Sequence, residues 1–252
     1  MNLQDFLYRY LYAVPHVLLI PVAIVMFRKR LHRQFPIFFF YLFYEFLQSC
    51  VMYPILSRLV ILPTWLYLDL DQFFRAGDII LHIGILQELF ESPLRNSDSL
   101  RQTGARILKW VTGALVVMAS AFIGFQYYTQ SHRLPRSYAE IEALNIATCV
   151  LLVFVFLWHR FLGLKMSTFA FGIALGLGLT AGLQPLFQSW KDSMFMERAF
   201  IPDFLEMGAY HCTVLIWLYY AFAREKVTSK SIAAPLAEIR QSAADMGRII
   251  RL

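Results

Sequence analysis

Ionisable side chains interrupt apolar segments of this chain at spacings that would suit proton transfer or ligand binding. In RAGDIILHIGILQE, residues 75–88, the side chains of Arg75, Asp78 and His82 recur at i, i+3 and i+7 and so share one helical face. Asp78 and His82 lie one turn apart, a spacing at which a carboxylate can hold an imidazole in one tautomer. We therefore expect Asp78 and His82 to face a common polar site.

Polar stripes recur in two further apolar segments. The segment 203–223 carries Glu206 and Tyr210 on one face and His211 on another, and the segment 36–56 carries Glu45. Counting the helical rise from the predicted cytoplasmic ends places Glu45, His82 and His211 at similar depths. Ionisable groups at such depth face a bundle interior, where they either bind a ligand or lock the helices together. The predicted cavity residues are Glu45, Asp78, His82, Glu206, Tyr210 and His211.

Three histidines raise the possibility of a metal or haem centre. His16, His82 and His211 could bind zinc, with Glu45 or Asp78 as the base, and two of the imidazoles could instead bind a haem iron. Seven-helix zinc hydrolases of the ceramidase kind usually carry an H-x-x-x-H pair on the last helix, where this chain has a single histidine. The cofactor therefore stays undetermined. Retinal is excluded because the last apolar segment contains no lysine.

The elements that must position these residues are membrane-spanning helices. The 252 residues are 58% hydrophobic and 16% charged, with a mean hydropathy of +0.53, whereas soluble domains are about 45–50% apolar and about 25% charged. A bilayer core needs about 20 apolar residues per helix. We predict an all-α membrane protein, a seven-helix bundle with spans at about 6–27, 36–56, 70–91, 107–127, 142–162, 167–188 and 203–223.

The distribution of positive charge predicts the orientation of this bundle. With the N-terminus outside and the C-terminus in the cytoplasm, 16 of the 23 lysines and arginines fall on the cytoplasmic side. The net charge of +6 is thereby explained without nucleic acid as a partner. The first span lacks a basic segment before it and a small-residue cleavage site after it, so we expect a retained anchor and no cleaved signal peptide.

Small residues predict where helices approach closely. Gly172-x-x-x-Gly176 and Gly178-x-x-x-Gly182 lie in the segment 167–188, a pattern typical of tight helix contacts in membranes. In the segment 70–91, glycines occupy the face opposite Asp78 and His82. Glu88 lies nearer that glycine face and is expected to make a separate contact.

The chain divides into a predicted transmembrane domain, residues 1–223, and a basic tail, residues 224–252. Helical periodicity from Leu236 predicts a short amphipathic C-terminal helix in this tail. Such a helix could lie on the inner leaflet of the bilayer or bind a signalling partner. No loop between the spans is long enough to hold an output domain, so a separate protein is expected to supply any output.

Two segments, FPIFFFYLFYEFLQS (35–49) and HRFLGLKMSTFAFGIALGLGL (159–179), resemble parts of bacterial seven-helix membrane proteins of unknown function. The resemblance implies a multi-pass protein of the bacterial cytoplasmic (inner) membrane, and it supplies no catalytic residues. Taken with the polar cluster, it predicts a ligand-sensing or signalling module that acts through a separate partner. The alternative is an intramembrane zinc hydrolase or a haem-binding membrane protein that uses the histidines and acids of that cluster.

Overall fold

The computed structural model describes residues 3–56, 63–92, 136–161, 166–193 and 200–223, together with residues 106, 109–114, 117 and 121. All regular structure in these ranges is helical, which confirms the prediction of an all-α chain for the described residues. The predicted span 107–127 falls largely outside them, and the tail 224–252 falls outside them entirely. The long helices are α1 (Leu3–Arg28), α2 (Pro36–Leu56), α3 (Thr64–Glu91), α4 (Arg136–Phe161), α5 (Thr168–Ser193) and α6 (Phe200–Phe222).

The six helices form a closed ring. Each helix contacts the next along the chain, and α6 contacts α1 to complete the circle. A short 3-10 turn, Leu31–Arg33, connects α1 to α2. A closed ring gives every helix an inward face and an outward face, so polar residues can gather in the middle while apolar residues face outward.

An apolar core fills one half of the ring, at the end where α1 finishes and α2 begins, which we call the Lys29 end. Aromatic rings dominate this core: Phe38 lies edge-on to Trp217 with ring centroids 5.1 Å apart, and edge-on to Phe169 at 6.0 Å. All three side chains are at most 1% exposed. Aromatic pairs in this geometry add about 0.5–1.5 kcal/mol each beyond the area that they bury.

Glycines allow two of the helix contacts to be close. A Cβ atom added at Gly176 would overlap the indole of Trp217, and one added at Gly172 would overlap Tyr220, so both glycines admit bulky side chains of α6. On α3, Gly77 and Gly84 receive side chains of α2 in the same way. Around Gly178 and Gly182 the nearest side-chain atoms lie at 3.6 Å and 4.0 Å, so this second pair makes only ordinary contacts with α4.

Two charged side chains bind helix termini at the Lys29 end. The ammonium of Lys29 donates hydrogen bonds to the carbonyl oxygens of Ala221, Phe222 and Ala223, at 2.7, 3.0 and 3.0 Å, where α6 ends. The carboxylate of Glu88 accepts hydrogen bonds from two backbone N–H groups of the first turn of α2, those of Ile37 and Phe38. Both contacts satisfy backbone groups that a helix terminus leaves unpaired, and both match the sign of the helix dipole.

Two described stretches are long and apolar enough to cross a membrane, Phe6–Arg28 with mean hydropathy 2.0 and Thr168–Phe187 with mean hydropathy 1.5. The stretch Asn145–Trp158 is apolar but shorter. The remaining long helices contain ionisable residues within their apolar sequence, among them Glu45 in α2, Asp78 in α3 and Glu206 in α6. These residues lower the mean hydropathy of helices whose outward faces are apolar.

Candidate functional site

A cavity of about 490 Å³ lies inside the ring, beyond the apolar core and towards the end where α6 begins. All six helices contribute to its wall. The wall includes five of the six predicted cavity residues, and it also includes His16, one of the predicted metal ligands. The five are Glu45, Asp78, His82, Glu206 and Tyr210.

One side of the cavity joins α1, α2 and α6 through aromatic and carboxyl groups. The phenol of Tyr210 donates a hydrogen bond to Oε2 of Glu45 at 3.3 Å. The imidazole of His16 packs on the ring of Tyr210, with centroids 5.3 Å apart, and its Nδ1 lies 2.6 Å from the backbone oxygen of Tyr12. The side chains of the first two helices and of the last long helix are thus connected at one wall.

His82 is oriented by the backbone and not by the Asp78 carboxylate, contrary to the expectation from their spacing. Its Nδ1 lies 2.9 Å from the carbonyl oxygen of Asp78. A carbonyl oxygen only accepts, so Nδ1 carries the hydrogen and Nε2 of the neutral ring is left as an acceptor. The ring of His82 lies edge-on to Tyr41 at 5.3 Å. The i, i+4 spacing brings the ring over the preceding turn, where the carbonyl is the nearer partner.

The Asp78 carboxyl group faces the cavity with unused hydrogen-bonding capacity. Its Oδ1 is buried and has no hydrogen-bond partner among the described residues. Oε1 of Gln48, whose side chain adjoins this carboxyl group, is in the same condition. Buried polar atoms are nearly always hydrogen-bonded. This wall between α2 and α3 therefore contains two buried acceptor oxygens whose hydrogen-bonding capacity is unused among the described residues.

Arg75 shares the cavity wall with Asp78 and His82, as their common helical face predicts. Its Nε donates to Oδ2 of Asp71 at 2.8 Å, one turn earlier in α3. The guanidinium is therefore engaged by a carboxylate of its own helix. Among the described residues of the wall, Arg75 is the single arginine or lysine, beside four carboxyl groups: Glu45, Asp78, Asp203 and Glu206.

A chain of amide and carboxyl groups crosses the opposite wall. Asn145 of α4 donates through Nδ2 to Oε1 of Gln184 at 3.0 Å, and Gln184 of α5 donates through Nε2 to Oε1 of Glu206 at 3.1 Å. Neither Gln184 nor Asn145 was among the predicted cavity residues, although Gln184 lies two turns after Gly176 on one face of α5. The available signal was the pair Asn145 and Thr148, which are polar and lie one turn apart in an otherwise apolar segment.

His211 does not belong to the residues that line the cavity. Its ring lies against Tyr10 of α1, with centroids 6.1 Å apart, and its Nδ1 is buried without a hydrogen-bond partner in the described part of the chain. His16, His82 and His211 are therefore not brought together as one set of ligands. Across the described ranges, no three His, Cys, Asp or Glu side chains are grouped so that they could hold one metal ion.

No protein-family model, no curated protein and no solved structure matches this chain. Function therefore has to be inferred from the geometry and the charge of the cavity.

Proposed function

We propose that this chain is a ligand-sensing protein of a bacterial cytoplasmic (inner) membrane, which binds a small, positively charged organic molecule in the cavity between its helices. The observation that carries the proposal is the cavity of about 490 Å³ lined by polar groups from six helices, including the buried Oδ1 of Asp78 without a partner in the described residues. Pockets of about 300–1,000 Å³ accommodate small organic ligands.

The membrane setting is supported by the outward faces of the helices. Large apolar side chains project from every described long helix, and several of them are more than 60% exposed. They include Phe27 (63%), Phe73 (68%), Ile80 (69%), Leu157 (62%), Leu186 (63%) and Tyr219 (70%). Apolar surface spread around a whole ring is far beyond the patches of soluble monomers. A bundle with polar side chains inside and apolar side chains on its outer surface is the arrangement that a bilayer favours.

The proposed topology is seven spans with the N-terminus outside. Its support is the distribution of lysine and arginine. In this orientation the cavity, which lies away from the Lys29 end, is placed towards the outer surface. Alkaline phosphatase inserted between α2 and α3 should be active in bacteria, and the same enzyme inserted between α1 and α2 should be inactive. The reverse pattern would contradict the topology.

The positive charge of the ligand is inferred from the composition of the wall. Among the described residues of the wall, four carboxyl groups accompany one arginine, Arg75, which forms an ion pair with Asp71. The rings of Tyr12, Tyr41 and Tyr210 also line the cavity, and aromatic faces attract cations in desolvated sites. Four carboxyl groups would repel an anion and attract an ammonium group, so a cation suits this wall best.

The test uses the whole chain, purified and placed in lipid nanodiscs, with choline as the cationic probe and acetate and glycerol as anionic and neutral probes. Choline should raise the midpoint of thermal unfolding, because a ligand that binds only the folded state stabilises it. Acetate and glycerol should leave the midpoint unchanged. The absence of a shift with choline, or equal shifts with all three probes, would overturn the proposed charge selectivity.

Matched variants locate the binding site. Glu45→Gln and Asp78→Asn should each weaken choline binding by at least about tenfold, which corresponds to about 1.4 kcal/mol. Glu91→Gln is the control, because this substitution also replaces a carboxylate with an amide, but outside the cavity. There Glu91 accepts a hydrogen bond from Gln87. An equal loss of affinity in the control would move the site away from the cavity.

The signal is proposed to pass to a separate protein through the tail, residues 224–252. The support is the continuity of α6, which carries Glu206 and Tyr210 on the cavity wall and ends at Phe222, directly before the tail. A movement of α6 on ligand binding would displace the start of the tail. Cross-linking of the tail to a partner in intact cells should then depend on the cationic ligand and should be lost in Glu45→Gln.

A further inference from the structure

A second cavity lies on the outward surface of the ring, between α1 and α2 near the Lys29 end. It is a groove of about 440 Å³, separate from the polar cavity and sharing none of its lining residues. We call it the α1–α2 groove. Its lining consists of Leu19, Ile20, Ala23, Ile24, Phe27 and Arg28 of α1, and Phe39, Leu42, Phe43 and Phe46 of α2.

The groove has a buried floor and exposed apolar walls. Leu19 and Leu42 are each 1% exposed, and the small side chain of Ala23 leaves the space between the helices open. Ile24 and Phe43, on the two walls, are 50% and 52% exposed. The lining residues of α1 extend over about two and a half helical turns, so the groove is roughly 14 Å long along this helix. This shape suits a long, narrow apolar chain better than a compact ligand.

Among the described residues that line the groove, Arg28 is the single charged one, and it lies at the end of the groove. Arg28 is the last residue of α1, and among the described residues no carboxylate forms an ion pair with it. Its neighbour Lys29 is used differently, since its ammonium binds the C-terminus of α6. The imidazole of His32 lies between Phe27 and Phe39, with centroids 4.9 Å and 5.6 Å away, and thereby connects the two walls at this end.

We infer that the α1–α2 groove binds one anionic phospholipid, with an acyl chain along its apolar floor and the phosphate at Arg28. Charge complementarity carries the choice of occupant, because a guanidinium at the mouth of an otherwise apolar groove matches a phosphate attached to a hydrocarbon chain. The inference rests on the membrane setting of the proposed function and is independent of the ligand in the polar cavity.

The first experiment measures lipid retention by native mass spectrometry of the whole chain in nanodiscs of mixed phosphatidylglycerol and phosphatidylcholine. The unmodified chain should retain one phosphatidylglycerol in preference to phosphatidylcholine. Arg28→Gln should lower this retention at least fivefold. Arg33→Gln is the matched control, because Arg33 is an exposed arginine of the same connection and does not line the groove. Equal losses in the two variants would indicate general surface charge and overturn the site.

A second pair of variants tests the groove itself. Ile24→Trp would fill the space between α1 and α2 from an exposed position, so it should abolish retention without disturbing the buried floor. Val17→Trp is its control, since Val17 is 56% exposed on α1 and lies outside the groove. Retention in Ile24→Trp at the level of the control would contradict the inference even where Arg28→Gln behaves as expected.

A photoactivatable phosphatidylglycerol with the reactive group on its acyl chain identifies the occupied surface. Adducts should concentrate on Ile24 and Phe43 and be rare on the similarly exposed Phe73 and Ile80 of α3. An even distribution would overturn the site, and cross-links between the groove and residues 224–252 would assign it to the chain's own tail. Failure of choline binding with retention of phosphatidylglycerol would reject the cavity ligand alone, so the two proposals are distinguishable.

Discussion

The carboxylate of Glu88 accepts a hydrogen bond from the backbone N–H of Phe38, at 3.0 Å, across fifty residues of sequence. Its other oxygen accepts the N–H of Ile37 at 2.5 Å. Glu88 lies in the last turn of α3 and is 7% exposed, so a buried acid of one helix satisfies the first turn of the next. Carboxylates are favourable at this position because the helix N-terminus carries positive partial charge.

Removal of this carboxylate should destabilise the bundle. Glu88→Ala leaves two buried N–H groups of α2 without acceptors, and we expect a loss of about 1–3 kcal/mol in the free energy of unfolding. Chemical unfolding in detergent measures the effect. Glu91→Ala is the control, three residues later on α3, and it should change the free energy of unfolding by less than about 0.5 kcal/mol. Similar losses in both variants would show that the helix cap is not the source.

Lys29→Met should loosen the end of α6 without unfolding the bundle. The substitution keeps a flexible apolar stem but removes the ammonium that binds three terminal carbonyl groups. A cation at a helix C-terminus contributes about 0.3–1 kcal/mol. Hydrogen exchange should therefore accelerate severalfold in the last turn of α6 and stay unchanged in α5. Arg33→Met is the control, and faster exchange there would contradict the assignment.

Gln184→Leu should interrupt the hydrogen-bond chain from Asn145 to Glu206. The variant leaves the amide of Asn145 without its acceptor and the carboxyl group of Glu206 without this donor, at a cost of about 1–3 kcal/mol. Gln87→Leu makes the same change at an exposed position of α3, where an apolar side chain should be tolerated. Thermal unfolding of both variants compares them directly, and equal midpoints would argue against a structural role for the hydrogen bonds from Asn145 through Gln184 to Glu206.

Gly176→Ala should separate α5 from α6. The added Cβ would overlap the indole of Trp217, which donates a hydrogen bond to the carbonyl of Ile173 at 3.4 Å. Overpacking of this kind costs about 1–3 kcal/mol. Gly208→Ala is the control on α6, because a Cβ there meets no atom within 4 Å and alanine favours the helix. A Gly176→Ala variant as stable as Gly208→Ala would refute the close contact.

The polar residues of α3 show how far spacing alone can reach. Their common face was predictable because helical periodicity is a local property, and Arg75, Asp78 and His82 do share the cavity wall. Their partners were not predictable. The acceptor of His82 is a backbone carbonyl, and the hydrogen-bond partner of Glu88 lies on α2, because side-chain pairing depends on rotamers and on which helix is adjacent.

His211 shows the opposite case. Its predicted depth in the membrane was similar to that of His82, but depth does not specify the direction in which a side chain points around the helix axis. The orientation of α6 places Tyr210 on the cavity wall and turns His211 towards Tyr10 of α1. His82 and His211 were therefore predicted at similar depths, and yet His16, His82 and His211 are not gathered around one point.

For the described residues, the sequence by itself determined that the chain is helical, which segments form the six long helices, and which face of α3 is polar, since these follow from composition and from a period of 3.6 residues. Tertiary structure decided the closed order of the ring, the chain of Asn145, Gln184 and Glu206, and the separate apolar groove that ends at Arg28. These features arise where separate helices meet, and their positions depend on packing around glycines and aromatic rings that no local pattern specifies.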